Sequence, residues 1–370
     1  VGAHTAGGSR VVTVVPAHDE EASIALTLGS LRRQSVPPDA VYVVADNCTD
    51  RTADIAIAHG ATVFTTEANV DKKAGALNQA LDRLLPQLDD DDLVLVMDAD
   101  SLLGDDWIAT ALRALHRDPA IGAVGGIFYG EGGSGMLAQL QRNEYVRYAR
   151  DVLRRGRGVW VLTGTSTMLR VSVLREIAEA RGRSLPGRRG EFYDRAALTE
   201  DMEITLACLR LGYRCVSPGR CSTTTELMPT WRDLWRQRLR WQRGALDNMR
   251  THGVNRTTLP YLFQQLWAVC GFAVIIGYPL LFGATLAMGQ PIVLHPFWLG
   301  VGALCVADRL ITVRKAGWRG IGVTLLFVPE MIYDFFRLAV YVAGWRDAVL
   351  RRTPRWHHVT RSATALTEGR

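Results

Sequence analysis

Two aspartates stand two residues apart at the end of an apolar run: Asp98 and Asp100 in "LVLVMDAD". In an extended chain, side chains at i and i+2 share a face. Two carboxylates on one face suit a hard divalent cation, and such a cation suits a diphosphate; a solvated strand-to-loop turn would use the same residues. "DKKAGALNQAL" places Lys72 and Lys73 before a helix, where a lysine and the helix N-terminus can share a phosphate. "LTEDMEITLACLRLGY" opens a helix at Thr199, with Glu200 and Asp201 in its first turn. Threonine is a good N-cap and acids favour that end, so local structure alone accounts for these types. A carboxylate there has an ordinarily lowered pKa, yet it can take a proton from a ligand hydroxyl. "VLTGTSTMLR" reads as a strand with a hydroxyl-rich bend, where Gly164 allows close approach of a ligand or simply makes a turn. Finally, "LWRQRLRWQRG" carries Arg236, Arg238, Arg240 and Arg243 among Trp235 and Trp241. Such a stretch suits nucleic acid, a membrane surface or a catalytic cleft. On a helix, Trp231, Leu234, Trp235, Arg238 and Trp241 fall near one face. That reads as a basic amphipathic helix at a bilayer surface.

These groups need a frame to hold them. The chain has 370 residues and a formal net charge of +6. The length predicts two structural units. The charge fits a phosphorylated substrate, anionic lipid or nucleic acid, although dense acidic clusters in the first hundred residues make a simple nucleic-acid coat a poor fit. Six cysteines without a CxxC pair argue against structural zinc and against a disulfide scaffold. A reduced, cytosol-facing catalytic domain is the expectation. The opening "VGAHTAGGSR" lacks the apolar core of a secretory signal.

Residues 10–225 read as an α/β domain. Buried strands are predicted at 11–17, 41–46, 61–66, 93–100 and 121–128, with helical stretches 20–33, 51–59 and 72–85 between the first four. This alternation predicts a largely parallel sheet with helices on both faces. Ligands of such sheets sit at the C-terminal strand ends. "PAHDEE", "ADNCTD" and "DADS" stand at three such ends, so their acids converge on one crevice. "RGRSLPGRRG" (181–190) reads as a flexible basic loop.

From Thr257 to Ala307 there is no Asp, Glu, Lys or Arg. A spanning helix needs about 20 apolar residues, so two spans fit, near 261–287 and 297–313. "GQP" (289–291) and "HP" (295–296) separate them. A third apolar region, 321–345, is interrupted by Glu330, Asp334 and Arg337. Charges at mid-depth face protein or water, so this region reads as a broken span, a re-entrant segment or an interfacial helix. The loop 314–320 and the tail 351–361 are basic, which favours the cytosolic side. With both there, the third region does not cross fully.

Taken in order, "VVPAHDEE", "VVADNCTD", "KAGALNQAL", "MDADS", "GTSTMLR", "TED" and "QRLRW" resemble the motif series of membrane-bound family-two glycosyltransferases. The last matches QxxRW through Gln237, Arg240 and Trp241. The likeness covers roughly 10–250 by motif and the C-terminal region by layout. It extends to the bacterial enzymes related to poly-N-acetylglucosamine, chitin-oligosaccharide, hyaluronan and cellulose synthases. It implies a GT-A fold (α/β, Rossmann-like), a nucleotide-diphosphate sugar donor and inversion at the anomeric carbon. By that resemblance Ala17, His18, Glu20 and Asp46 lie around the nucleoside and Lys73 near the nucleotide. Asp98 lies near nucleotide and sugar, and Asp100 binds Mg²⁺ or Mn²⁺. Asp201, with Glu200 beside it, looks like the general base for the acceptor hydroxyl. Gly164 and Thr165 join Gln237, Arg240 and Trp241 on the acceptor and diphosphate side.

The expected organisation is a catalytic domain over 1–225, an amphipathic stretch over 226–256, a membrane region over 257–350 and a basic tail over 351–370. The expected function is sugar transfer from a nucleotide-diphosphate donor to a glycan, lipid or protein acceptor at the cytosolic membrane face. UDP-N-acetylglucosamine and UDP-glucose are the first donor choices. No helix precedes the catalytic domain and only two clean spans follow it, unlike the polymer synthases. Single or few-step transfer is therefore expected ahead of processive synthesis. A catalytically silent nucleotide or polysaccharide sensor would be expected to lose Asp100, Asp201 or Arg240, and all three are present. Nucleic-acid binding is not expected beside two spans. Arg236 and Arg243 are expected to serve lipid or solvent, and Arg240 the substrate.

Overall fold

The computed structural model describes residues 8–156, 158–291 and 296–352; His295 of the "HP" turn and the tail beyond 352 lie outside them. The first half runs β1 (Val11–Ala17), α1 (Ile24–Arg32), β2 (Ala40–Ala45), α2 (Thr52–Ala58), β3 (Thr62–Thr65), α3 (Lys72–Leu84), β4 (Leu93–Met97), β5 (Leu102–Leu103) and α4 (Trp107–Arg117). Next come β6 (Ile121–Gly125), β7 (Ile127–Gly130), α5 (Met136–Arg155), β8 (Ser166–Arg170), α6 (Val171–Ala180), α7 (Glu200–Arg210), β9 (Arg214–Val216) and β10 (Ser222–Thr225). The remainder is helical: α8 (Trp231–His252), α9 (Leu259–Ala287), α10 (Pro296–Val313), α11 (Gly317–Leu325) and α12 (Val328–Val349).

Seven strands form one sheet in the order β3-β2-β1-β4-β8-β6-β9. All its pairings are parallel except those of β8, which runs antiparallel to β4 and β6. The sheet is thus mixed, with β8 inserted against the parallel run. Period-two alternation divides the strands between two cores. Val12, Val14 and Val94 pack with α3, α6 and α7, while Val11, Val15 and Leu95 pack with α1 and α4.

Three expectations need correction here. The strand predicted over 93–100 ends at Met97, and Asp98 to Ser101 form a turn in which the Ser101 N–H donates to the Asp98 carbonyl at 3.3 Å. The two aspartates are therefore neighbours through a turn, not through the pleat. The strand predicted over 121–128 breaks at Gly126. A Cβ there would lie 2.2 Å from Ser166 Oγ, and beyond it β7 leaves for a second, three-stranded sheet with β10 and β5. The basic loop 181–190 is anchored, because Arg181 is fully buried and pairs with both carboxylate oxygens of Glu203 at 2.8 and 2.7 Å. It also donates to the carbonyls of Pro186, Glu191 and Phe192.

α9, and α10 together with α11 (Pro296–Leu325), are long and apolar enough to cross a membrane. The "GQP" turn follows α9, with Gly289 at φ 65°. The third apolar region is bent at Phe327 into α11 and α12, and its charges face protein. Glu330 is buried and pairs with Arg147 and Arg309. Asp334 pairs with Arg309 at 2.7 Å, and Arg337 with Glu144 at 3.6 Å. α12 packs along α8.

That packing overturns the expected lipid face of α8. Leu234 is fully buried beside Leu140, Val323 and Tyr333, and the Trp231 and Trp235 rings lie 5.0 and 5.8 Å from the Phe336 ring. The apolar stripe read correctly as amphipathic, but its partner is α12. Arg243, expected in lipid or solvent, is buried and donates to Asp247 at 2.7 Å. Arg236 sits 3.7 Å from Asp233 at the surface.

Candidate active site

Four sequence motifs meet at one ammonium group. Lys73 Nζ, in the first turn of α3, donates to Asp98 Oδ1 at 2.6 Å and to the Gly164 carbonyl at 3.2 Å. It also stands 2.9 Å from Glu200 Oε1. Burial opposes its charge, but Asp98 and Glu200 outweigh that and hold Lys73 firmly protonated. Glu200 is balanced the same way: burial pushes it up, Lys73 pulls harder, and the net direction is down.

Asp201, one residue on, has no such ion-pair partner among the described residues. Burial first, then the Glu200 charge, pushes its carboxyl up to about 6. This corrects the expectation of a lowered value at a helix N-terminus: the helix end supplies only the Met202 N–H, at 2.7 Å. Gly164 keeps the bend close. A Cβ there would lie 3.5 Å from both Asp201 Oδ2 and Lys73 Nζ. The Thr165 carbonyl accepts from the Asp98 N–H at 3.2 Å, which ties the bend to the aspartate turn.

Thr199 sits at the start of α7, but its hydroxyl does not cap that helix. It accepts from Asn248 of α8 at 3.1 Å, and its carbonyl accepts from the same amide at 2.9 Å. Gly244 packs directly on it, since a Cβ at Gly244 would meet Thr199 Oγ1 at 2.4 Å. The "TED" helix is therefore clamped to the "QRLRW" helix. Within the latter, the Arg240 charge acts on Lys72, Asp98, Glu200 and Asp201, so Arg240 overlooks the carboxylates. Gln237 accepts from Arg238 at 2.6 Å, and the Arg238 guanidinium covers the Trp241 ring at 4.2 Å. Arg238 is itself buried on Glu144 at 2.7 Å. With Arg238 and Arg243 in ion pairs, this stretch is not the open basic surface that a nucleic-acid backbone requires.

The adjacent ends of β1 and β2 carry Ala17, His18, Glu20 and Asp46. His18 Nδ1 donates to the Asp46 carbonyl at 2.6 Å. Asp46 Oδ1 accepts from Thr66 and Asn69, both at 2.8 Å. Glu20 is buried and accepts from Ser23 at 2.7 Å, which fixes the start of α1.

Asp100 is pushed up to about 7 by burial and then by Asp98. Sequence reading missed two further acids beside it. Glu226 follows β10 and Glu131 follows β7, and these strands pair in parallel with Thr225 opposite Gly130. Burial, Asp100 and Glu131 together push Glu226 up to about 8. The missed signal is the one that exposed Asp98: an acid just past a strand's C-terminal end. Asp98, Asp100, Glu200 and Asp201 face one lysine and one arginine, so negative charge is in excess. An all-oxygen, anionic donor set of this kind fits Mg²⁺ or Mn²⁺, which would relieve the repulsion.

A mixed sheet with acids just past its strand ends, closed over by the "TED" and "QRLRW" helices, defines a GT-A glycosyltransferase. The family model described as "Glycosyltransferase like family 2" matches residues 9–244, and the chain belongs to this family. It is 29% identical over 244 residues to the "Probable glycosyltransferase YdaM" of Bacillus subtilis, covering 64% of this chain and 55% of that protein. It is 22% identical over 274 residues to a poly-beta-1,6-N-acetyl-D-glucosamine synthase of Staphylococcus epidermidis, covering 70% of this chain and 62% of the synthase. The chain thus spans less than two thirds of these relatives' length. Its fold is similar to the mannosyltransferase PcManGT of Pyrobaculum calidifontis, solved with GDP-Man and Mn²⁺, at a TM-score of 0.59 and 18% identity over 94% of this chain and 89% of that one.

Proposed function

We propose that this glycosyltransferase is inverting and metal-dependent, works at a membrane face, and uses Asp201 as general base. The observation that carries the reading is the contrast between adjacent carboxylates. Glu200 is neutralised by Lys73, whereas Asp201 is free to titrate at about 6. A base poised near the working pH is what proton removal from a hydroxyl requires.

Asp201 takes the proton of the acceptor hydroxyl as its oxygen attacks the anomeric carbon from the face opposite the diphosphate. Lys73 fixes Asp98 and Glu200 and keeps a positive charge beside the sugar diphosphate. Arg240 adds a second charge, and Trp241, held under Arg238, closes the acceptor side. Asp100, with Glu226 and Glu131 nearby, would hold Mg²⁺ or Mn²⁺, which supplies charge stabilisation to the leaving diphosphate. Ala17, His18 and Asp46 border the nucleoside. The N-acetylglucosamine polymer made by the synthase relatives and the Mn²⁺ of PcManGT support a nucleotide sugar and a divalent cation. UDP-N-acetylglucosamine and UDP-glucose remain the first donors to try. α9 and α10 anchor the catalytic domain at the cytosolic membrane face.

Purified protein with Mn²⁺ and a panel of UDP- and GDP-sugars is expected to release nucleoside diphosphate in the presence of acceptor. Wild-type transfer by Asp201→Asn would remove the base assignment.

A further inference from the structure

A groove of about 900 Å³ opens where α9 leaves the catalytic domain. Leu259, Phe263, Leu266 and Trp267 line it, and Trp160 and Arg256 border one end. Along a helix able to cross a membrane, lipid tails are ordinary neighbours, and Trp267 is 80% exposed among the described residues. The bordered end is what sets this groove apart. Arg155 stacks on the Trp160 ring at 4.6 Å, and Arg256 is exposed. Neither arginine makes an ion pair among the described residues. Two arginines without carboxylates at the edge of an apolar groove complement a phosphate attached to an apolar chain.

The same end leads to the proposed base. Trp160 packs on Tyr261 at 4.8 Å, and the Tyr261 hydroxyl donates to the Trp160 carbonyl. Their cluster includes Met202, which follows Asp201. Gly164, against Asp201, is four residues beyond Trp160, a reach of at most about 14 Å. Tyr148 feels the charges of both Asp201 and Arg155.

We propose that the acceptor is a phosphate-bearing membrane lipid. Its chain lies in the α9 groove, its phosphate between Arg155 and Arg256, and its hydroxyl-bearing head extends past Trp160 to Asp201. The reading rests on the proposed transferase activity. The acceptor oxygen bonds to the anomeric carbon, the bond from that carbon to the nucleoside diphosphate breaks, the diphosphate leaves with the electron pair, and Asp201 receives the proton.

The test uses the full chain in detergent micelles with a diazirine-bearing farnesyl phosphate as probe. Cross-links are expected to concentrate on Trp160 and residues 256–270. Arg155→Gln and Arg256→Gln should each weaken probe binding about fivefold to tenfold. The farnesol analogue should bind more weakly than the phosphate, and inorganic phosphate at the same concentration should not displace the probe. Asp201→Asn should bind the probe as wild type does, so failure of the base assignment would leave this result standing. Labelling spread evenly over α9 and α10, equal binding of farnesol, or unchanged affinity in the double arginine variant would overturn the proposal. So would full transfer to a water-soluble glycan or protein that the groove variants leave untouched.

Discussion

Replacing Asp201 by Asn separates the catalytic from the structural cost of its charge. Asp201 moves from an ordinary 3.8 to about 6 in the folded protein, through burial and then Glu200. A base must be ionised, so log kcat/KM is expected to rise with unit slope up to about pH 6 and level off above it. At pH 5 the rate should be about a tenth of the plateau. Stability runs the other way. With the folded value above the unfolded one, this group's contribution is fully present below about pH 4 and is lost as pH rises through about 6. At pH 7.5 a neutral Asn therefore stabilises the fold; because Asp201 keeps an exposed edge, solvent screening trims the gain to about 2 kcal/mol. Asp201→Asn should lose about 100- to 10,000-fold in turnover while its Tm rises at pH 7.5 and matches wild type near pH 4. Steady-state kinetics between pH 5 and 9 and thermal denaturation at both pH values measure this. An acid limb centred near 4, or a Tm that falls at pH 7.5, would show that Asp201 is not held in the environment described.

Two further outcomes follow from the packing. Gly244→Val should push Thr199 off its place and disturb the start of α7; turnover should fall with little change in donor KM, read from initial rates at saturating and limiting donor. Arg181→Met leaves buried Glu203 with only His252, 3.3 Å away, as a side-chain partner, which costs up to about 3–5 kcal/mol; a drop in denaturation midpoint with an unchanged slope would report it, and an unchanged midpoint would contradict the anchoring of that loop.

The sequence by itself determined the alternation of strand and helix, the family and the positions of acids just past strand ends. These features are local. A strand-end acid is legible because an apolar run stops at it, and apolar helices are legible because the absence of charge persists over many residues. Only the tertiary structure decided which groups face each other. The roles of Glu200 and Asp201 cannot be separated by type or spacing; Lys73, more than a hundred residues earlier, neutralises one and leaves the other to titrate. A helical projection of "LWRQRLRWQRG" sets Arg238 on the apolar face and Arg236, Arg240 and Arg243 together on the other, but it names no partners: Glu144 of α5 buries Arg238 and Asp247 holds Arg243, while Arg240 overlooks the carboxylates. The apolar stripe of α8 was periodic enough to read, but a stripe specifies only that something apolar covers it. Whether lipid or protein does so depends on where α12 folds back, and the charges of α12 settle that by pairing with α5 and α10.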